Sequence, residues 1–288
     1  AIKALNEYIL TGLVEYTYLV TPNLLPTPQI YAYDTCIKRF GSKHNFMGFI
    51  DSDEFIVVNS QRSIPSILEE YASYGGLTLS WFYFGSSGHK SRPNPVGVIS
   101  HYHKCIPDFH IKTIVNTRHT LGPSGEPHSF RYLAGQYAVD TAFRRVRGPF
   151  NPSRNASPSS VRSLNLFDVM HINHYVIRSL EDYEDKMRRG TVDGGIRNMK
   201  YFHRIDGSTT EDCPVLKMPP FITDEENTRR YPYQAIYSSQ KWKKTPRLLK
   251  SSNDTSQSTS DEAGLWLAGT ATIVALFIII LFLIVVQK

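Results

Sequence analysis

Three acidic side chains follow a short apolar segment of the chain. Residues 46–50 carry no charge, and Asp51, Asp53 and Glu54 come immediately after them. A continuous apolar run of this length is typical of a strand that is covered on both faces. Carboxylates so close together repel one another unless a positive group lies between them. Because Mg²⁺ and Mn²⁺ prefer oxygen ligands and join carboxylates to substrate phosphates, the segment predicts a divalent-metal and phosphate site.

Two phosphoryl chemistries begin with acids after an apolar strand. A phosphatase of the haloacid dehalogenase type uses the first aspartate as nucleophile, but its signature has Thr or Val where this chain has Phe55. A sugar transferase instead holds a nucleotide-sugar diphosphate through a divalent ion, which neutralises the leaving group. Lys112, at the mouth of a predicted strand, is a candidate phosphate contact. The residues alone leave both chemistries open.

The elements that must position these residues alternate along the chain. Runs rich in aromatic and β-branched residues predict strands at 77–84, 96–103 and 111–115. Apolar residues at helical spacing predict a helix over 64–71. The order of strand, helix and strand predicts an α/β fold with a mostly parallel sheet flanked by helices.

A further helix is predicted near the end of the folded part. Ser179 and Asp182 resemble a capping box in which Asp replaces Glu, and Gly190 is the expected stop. Lys186 and the two arginines after it precede that glycine, as expected of basic residues at a helix C-terminus.

The composition limits the class of protein. Of the 288 residues, 41% are hydrophobic and 20% are charged, which excludes a fully disordered chain and a collagen. The net charge of +6 is spread among interspersed acids, so we expect no nucleic-acid partner. The three cysteines allow at most one internal disulfide, and without a C-x-x-C pair structural zinc is not expected.

The C-terminal part of the chain predicts a membrane anchor. Residues 264–286 carry no charge, and about 20 such residues suffice for a transmembrane helix. Acids precede this stretch and Lys288 follows it, which favours a lumenal body and a single-pass protein. Small residues at 251–253 and a polar spacer also fit a glycolipid-anchor signal, so both anchors remain open.

Three regions are predicted from these features. Residues 1–221 form the folded domain, 222–262 a polar stalk and 264–286 the transmembrane helix. N-glycosylation sequons at Asn155 and Asn253 fit a lumenal body.

Six sequence blocks occur in order along the folded part. They lie at 33–36, 49–55, 81–89, 112–115, 127–130 and 172–175. With Arg189-Gly190 they cover about residues 20–205 and resemble glycosyltransferase family 92. The resemblance implies a GT-A fold and a metal-dependent inverting transfer from a nucleotide sugar, often UDP-galactose, to a glycan acceptor. It also implies a location in the secretory pathway, in the Golgi membrane or at the cell surface.

The resemblance further implies roles for individual residues. Asp53 would bind Mn²⁺ or Mg²⁺, and Asp51 would contact the ribose or a metal-bound water. His174 would complete the metal site, and His128 would contact the metal or the diphosphate. Glu54 is either a support for this site or a strand-end charge.

Inverting transfer also needs a general base near the acceptor hydroxyl. Asp140 and Glu126 are the acidic candidates, and the sequence does not choose between them. Aromatic residues in the 81–89 block suit a sugar ring.

Two departures from the family pattern matter. Arg178 stands where the family has a lysine. Residues 1–28 show no glycine-rich strand-to-helix turn, so we expect the first nucleotide-binding unit to be missing wholly or in part. The alternative function is therefore a non-catalytic, membrane- or glycolipid-anchored protein that binds carbohydrate at the cell surface.

Overall fold

The computed structural model describes residues 6, 8–10, 14–17, 27–93, 98–150, 167–191, 196–213 and 282–286. The chain divides into two units, one formed by 1–18 and 219–277 and the other by 19–218 and 278–288. In the first unit, the described residues include a short helical segment, and the Val14 N–H donates to the Tyr8 carbonyl (2.9 Å). The second unit contains the sheet strands that the structure describes.

The second unit is a mixed α/β structure in which helices flank a nine-stranded sheet. The helices are α1 Pro28–Phe40, α2 Ile64–Glu69, α3 Leu180–Arg189 and α4 Met199–Ser208, with a 3₁₀ turn at Gly41–Lys43. The strands are β1 Phe46–Ile50, β2 Glu54–Val58, β3 Gly76–Phe84, β4 Lys104–Asn116, β5 Thr120–Pro123, β6 Phe130–Tyr132, β7 Ala138–Val139, β8 Arg145–Val146, β9 Met170–His174, β10 Glu211–Asp212 and β11 Phe282–Val286. β5 and β6 form a separate hairpin.

The prediction of a mostly parallel sheet is wrong. Among the described strands, parallel pairing joins β3 to β7 and β3 to β9, whereas the other ladders are antiparallel. Two parallel neighbouring strands need a long connection, which is usually a helix. In the chain order before β4, α2 is the described helix that lies between two strands, β2 and β3. The sequence showed one strand–helix–strand succession in this region. It therefore did not determine the direction of the other strands.

The strands that carry the acidic segment and its neighbours nevertheless point the same way. β1 and β3 both run antiparallel to β4, and β9 runs parallel to β3. The carboxyl ends of these three strands therefore lie at one edge of the sheet. In α/β sheets this is the edge at which ligands bind.

Both faces of β1 are covered, which explains its continuous apolar sequence. Phe46 and Ile50 pack in the core that includes Leu68 of α2, whereas Met47 and Phe49 pack with α1 residues. All five β1 residues are buried, so the prediction of a strand covered on both faces is confirmed.

Most of the other predicted elements are present. The helix at α2 begins at Ser63, whose hydroxyl accepts the Ser66 N–H (3.3 Å). The strands predicted at 77–84 and 111–115 correspond to β3 and to the end of β4. In α3, the Ser179 hydroxyl accepts the Asp182 N–H (3.1 Å), which confirms Ser179 as the N-cap. The reciprocal bond of a capping box is not formed, because Asp182 Oδ2 accepts from the Ser179 hydroxyl and not from its backbone N–H.

The strand predicted at 96–103 is wrong over its described part, 98–103, which forms a turn. Its apolar pattern buries Tyr102 instead of forming a ladder. The Tyr102 hydroxyl accepts the Ser179 N–H (3.1 Å), and the turn thereby supports the start of α3.

The C-terminal segment differs from its prediction. Residues 282–286 of the predicted transmembrane helix are β11, a strand antiparallel to β1, and the helix prediction is wrong for these five residues. Their β-branched sequence suits a strand at the edge of β1. Within the described part of the chain, no helix has the length and apolar character needed to cross a membrane. The rest of the predicted helix, the stalk and both sequons lie outside the described residues.

One disulfide is formed within the described residues. Cys105 at the start of β4 is bonded to Cys213, which follows β10, and their Cα atoms are 5.9 Å apart. The bond closes a sequence separation of 108 residues. Cys36 in α1 lies outside this bond.

Candidate functional site

The acidic segment is a tight turn between β1 and β2. The Glu54 N–H donates to the Asp51 carbonyl, and the Asp51 N–H donates to Glu54 Oε2, both at 3.0 Å. Antiparallel pairing of β2 with β9 places Glu54 opposite His174. The Tyr175 N–H donates to the Asp53 carbonyl (2.9 Å), so the turn is fixed to the end of β9.

Lys112 of β4 neutralises one side of this turn. Its side chain is 1% exposed, and its Nζ lies 3.0 Å from Asp51 Oδ2 and 3.6 Å from Glu54 Oε2. Burial opposes the charge of Lys112, but Glu54 and Asp51 hold the pKa of Lys112 above its usual value. Burial raises the pKa of Glu54 to about 8, although the Lys112 ammonium opposes that rise. The phosphate contact of Lys112 stays a prediction. In the structure, the Lys112 ammonium faces the side chains of Asp51 and Glu54.

Two α1 side chains complete that side. Gln29 Nε2 donates to Asp51 Oδ1 (3.0 Å) and to the Tyr33 hydroxyl (2.8 Å). Lys112 Nζ is 3.5 Å from the same hydroxyl. Both oxygens of Asp51 are therefore engaged by α1 and β4.

Asp53 faces a different cation. Lys186 of α3 donates to Asp53 Oδ2 (2.6 Å) and to the Val176 carbonyl (2.7 Å). Burial alone would raise the pKa of Asp53, but Lys186 and then His174 hold that pKa well below its usual range. Asp53 is accordingly an ionised carboxylate at neutral pH, with its Oδ1 directed to His174 at 3.6 Å from Nε2.

His174 is a buried, neutral imidazole. Burial lowers the pKa of His174 to about 4, although the Asp53 carboxylate opposes that shift. His174 Nδ1 and Glu54 Oε1 lie 4.0 Å apart, and neither has a hydrogen-bond partner among the residues that the structure describes. A neutral imidazole presents a lone pair and can therefore bind a metal.

The donor set fits a divalent ion only in part. Among the described residues, no group of three His, Cys, Asp or Glu side chains converges as a metal site. Asp53 Oδ1 and His174 Nε2 are two suitable ligands, and the orphaned Nδ1 leaves the ring free to adjust. Mg²⁺ and Mn²⁺ usually take one or two protein ligands and complete their shell with phosphate and water, so these residues fit such an ion.

Trp81 of β3 joins His174 to two further histidines. Its ring centroid lies 4.4 Å from that of His174, 5.2 Å from His128 and 5.4 Å from His110. His128 Nδ1 donates to the Ile111 carbonyl (2.8 Å), so its Nε2 carries the lone pair. Burial, then Lys112, lowers the pKa of His128 to about 4. Trp81 is 4% exposed and forms the floor of this histidine group.

The structure does not bring the two acidic candidates for the base into this group. Asp140, buried after β7, accepts the backbone N–H groups of Ala142 and Arg144 and the Arg144 Nε–H (2.9 Å). Glu126 accepts the N–H groups of His128 and Ser129, both at 2.8 Å, and so shapes its own turn. Only Glu126 is linked to the site, through the backbone of His128.

Sequence reasoning missed several of these residues. Lys186 was interpreted as a helix-terminal charge, but it lies 133 residues from Asp53 in the chain and pairs with it. Arg188 pairs instead with Asp185 in the same helix. Arg178 contributes to the lowered pKa of Asp53, so the basic character at this position acts on the site. Helical periodicity can place Lys186 on the buried face of α3, but it cannot identify Asp53 as its partner.

The site thus combines an acidic strand end, a neutral histidine and the buried Trp81. Residues 2–121 match the family model described as Glycosyltransferase family 92. The match confirms the resemblance over residues 20–121 and supports the enzyme class, a glycosyltransferase. The first four sequence blocks lie inside the matched residues, and the blocks from 127 onward lie outside them. The comparison with curated proteins found no match.

Proposed function

We propose that the protein is a divalent-metal-dependent, inverting glycosyltransferase that moves a sugar from a UDP-sugar to a glycan hydroxyl. The observation that carries the proposal is the pair formed by Asp53 Oδ1 and His174 Nε2, 3.6 Å apart at the carboxyl end of a buried strand. The family match supplies the class of reaction. The lowered pKa values of both groups support a carboxylate and a neutral imidazole at pH 7.

Asp53 and His174 would hold Mn²⁺ or Mg²⁺. When bound, the ion supplies positive charge that neutralises the leaving diphosphate. Lys186 would add a second positive charge beside Asp53, on the side away from His174.

The other side chains are proposed to position the donor. Asp51, held by Gln29 and Lys112, would contact the ribose, because a carboxylate with fixed orientation is a good acceptor for sugar hydroxyls. His128, whose ring centroid lies 5.2 Å from that of Trp81, would contact the diphosphate or its metal. Trp81 offers apolar surface to the sugar ring only through its edge, since it is almost fully buried.

The disulfide supports a proposed lumenal location. Structural disulfides persist in the secretory pathway and are rare in the cytosol. The bond between Cys105 and Cys213 joins two strands of the domain that carries the site. Membrane attachment through the part of residues 264–286 that precedes β11 stays a sequence prediction, as does the preference for galactose.

The proposal is tested by binding and by turnover. The full-length protein that contains these residues should bind UDP in calorimetry only when Mn²⁺ is present, and a screen of UDP-sugars should show transfer that EDTA abolishes. Asp53→Ala should remove Mn²⁺-dependent binding, whereas Asp168→Ala, at an exposed position outside the site, should not. EDTA-resistant turnover would contradict the metal assignment. Glycan binding without UDP binding would favour the carbohydrate-binding alternative.

A further inference from the structure

A bulge in β4 directs one histidine out of the strand ladder. Ser80 of β3 pairs with Ile111, but Trp81 pairs with Asp108, which leaves two residues of β4 between these pairs. The second of them is His110. Bulges redirect side chains and are frequent beside active sites. Here the bulge stacks the His110 ring on Trp81, with centroids 5.4 Å apart and planes inclined by 23°.

Asp108 fixes the orientation and the tautomer of His110. Its Oδ1 lies 2.5 Å from His110 Nδ1 and also accepts the backbone N–H of His110 (2.8 Å). A carboxylate that faces Nδ1 requires a proton on that nitrogen, so in the neutral form of the ring Nε2 carries the lone pair. The Tyr83 hydroxyl, 3.4 Å from Nδ1, lies on the same side of the ring.

His110 is also accessible. Its side chain is 35% exposed, in contrast to the buried His174. Among the described residues, no hydrogen bond reaches Nε2 of His110. The partly exposed ring is therefore held at Nδ1, while Nε2 has no hydrogen-bond partner among the described residues.

His110 lies next to the proposed donor site, and this position suits contact with an acceptor hydroxyl. Trp81 contacts His110 and His174, so the two imidazoles lie on one aromatic residue without a mutual ring contact. His128 lies 5.9 Å from His110, ring to ring. The carboxylates of Asp140 and Glu126 accept backbone donors of their own turns. Nε2 of His110 has no such partner within the described part of the chain.

We propose that His110 Nε2 is the general base of the sugar transfer and that Asp108 positions it. This inference rests on the proposed function. The acceptor oxygen forms a bond to the anomeric carbon while the bond from that carbon to the diphosphate oxygen breaks. The electron pair of the broken bond leaves with the diphosphate, and the hydroxyl proton moves to Nε2 of His110.

The first test is kinetic. His110→Ala should lower kcat by about 10²- to 10⁴-fold, the contribution typical of a general base. Binding of UDP with Mn²⁺, measured by calorimetry, should be unchanged. Added imidazole should restore part of the activity, which loss of a purely structural contact would not allow. His203→Ala, an exposed histidine in α4, is the matched control and should keep full activity. Asp108→Asn should lower kcat and leave donor KM unchanged.

The second test does not depend on turnover. In ¹⁵N NMR of the wild-type protein without substrate, His110 should carry its proton on Nδ1 and not on Nε2. A proton on Nε2, or full activity of His110→Ala in an active wild-type background, would overturn the assignment. Absence of transfer by the wild type with every donor would instead overturn the proposed function, and the NMR result would still decide the tautomer.

Discussion

Asp53 forms an ion pair with Lys186. The Lys186 ammonium lies 2.6 Å from its Oδ2, and both side chains are largely buried. Burying a carboxylate is costly unless the charge is paired, so the ion pair permits an ionised aspartate to stay at the end of β1. The same pairing keeps Asp53 deprotonated and available as a ligand.

Removal of that cation should destabilise the fold in a pH-dependent way. Lys186→Met should lower the free energy of unfolding at pH 7 by about 3 kcal/mol, because it leaves a buried carboxylate unpaired. The native pKa of Asp53 is lowered, so the pair stabilises the fold above the ordinary aspartate pKa of about 4. The difference between variant and wild type should therefore shrink below pH 4. Urea unfolding at several pH values measures it.

Lys186→Arg is the control for this experiment, because it retains the positive charge. Its free energy of unfolding should stay closer to the wild-type value than that of Lys186→Met. An equal loss in both variants, independent of pH, would show that packing of the lysine stem matters and not its charge.

At this scale the sequence predicted some residues and not others. Asp51 and Asp53 were predicted because the two residues lie close together in the sequence and follow an apolar segment. Lys186 and His110 were missed because their roles depend on a contact across 133 residues and on a bulge. Neither feature leaves a local pattern that periodicity can detect.

At the scale of elements, β3 lies at the centre of the described sheet. It pairs with β4 along its whole length, with β7 at its start and with β9 near its end. Gly76, the first residue of β3, allows the close approach of β4. A Cβ at this position would lie 2.7 Å from the Ile114 carbonyl oxygen.

Alanine substitutions at two glycines should have opposite effects. Gly76→Ala should destabilise the protein by about 2 kcal/mol, because the backbone of β4 would have to shift. Gly207→Ala should be neutral or stabilising by up to about 1 kcal/mol, since the site in α4 is open and alanine favours a helix. Thermal and urea unfolding of the two variants test this contrast, and equal stability of both would contradict it.

Local patterns predicted the elements better than their arrangement. Apolar runs and caps identified β1, α2, β3 and α3, because those signals are local. Strand direction and the turn at 98–103 depended on burial of residues such as Tyr102 by distant parts of the chain. The C-terminal apolar stretch has a sequence compatible with a membrane helix or with a strand, and the pairing with β1 decides its described end.

At the scale of the whole molecule, the proposed lumenal location makes a prediction about glycosylation. Asn155 stands in an Asn-Ala-Ser sequon, and glycan transfer to such a site takes place in the secretory lumen. Protein made in secretory cells should lose mass on treatment with an endoglycosidase. Asn155→Gln should remove that shift at this site. An unmodified Asn155 in secreted or membrane-bound protein would contradict the location.

The Cys105–Cys213 bond has a further consequence for the integrity of the site. The segment between these cysteines contains Lys112, His174 and Lys186, whereas Asp51 and Asp53 precede it. If a protease cut one peptide bond within that segment, the two fragments would remain one covalent molecule. A nicked protein should therefore migrate intact without reductant and as two pieces with it. The acidic turn, Lys112 and Lys186 would stay in one covalent molecule. A single cleavage would therefore not separate the acidic turn from its two lysine partners.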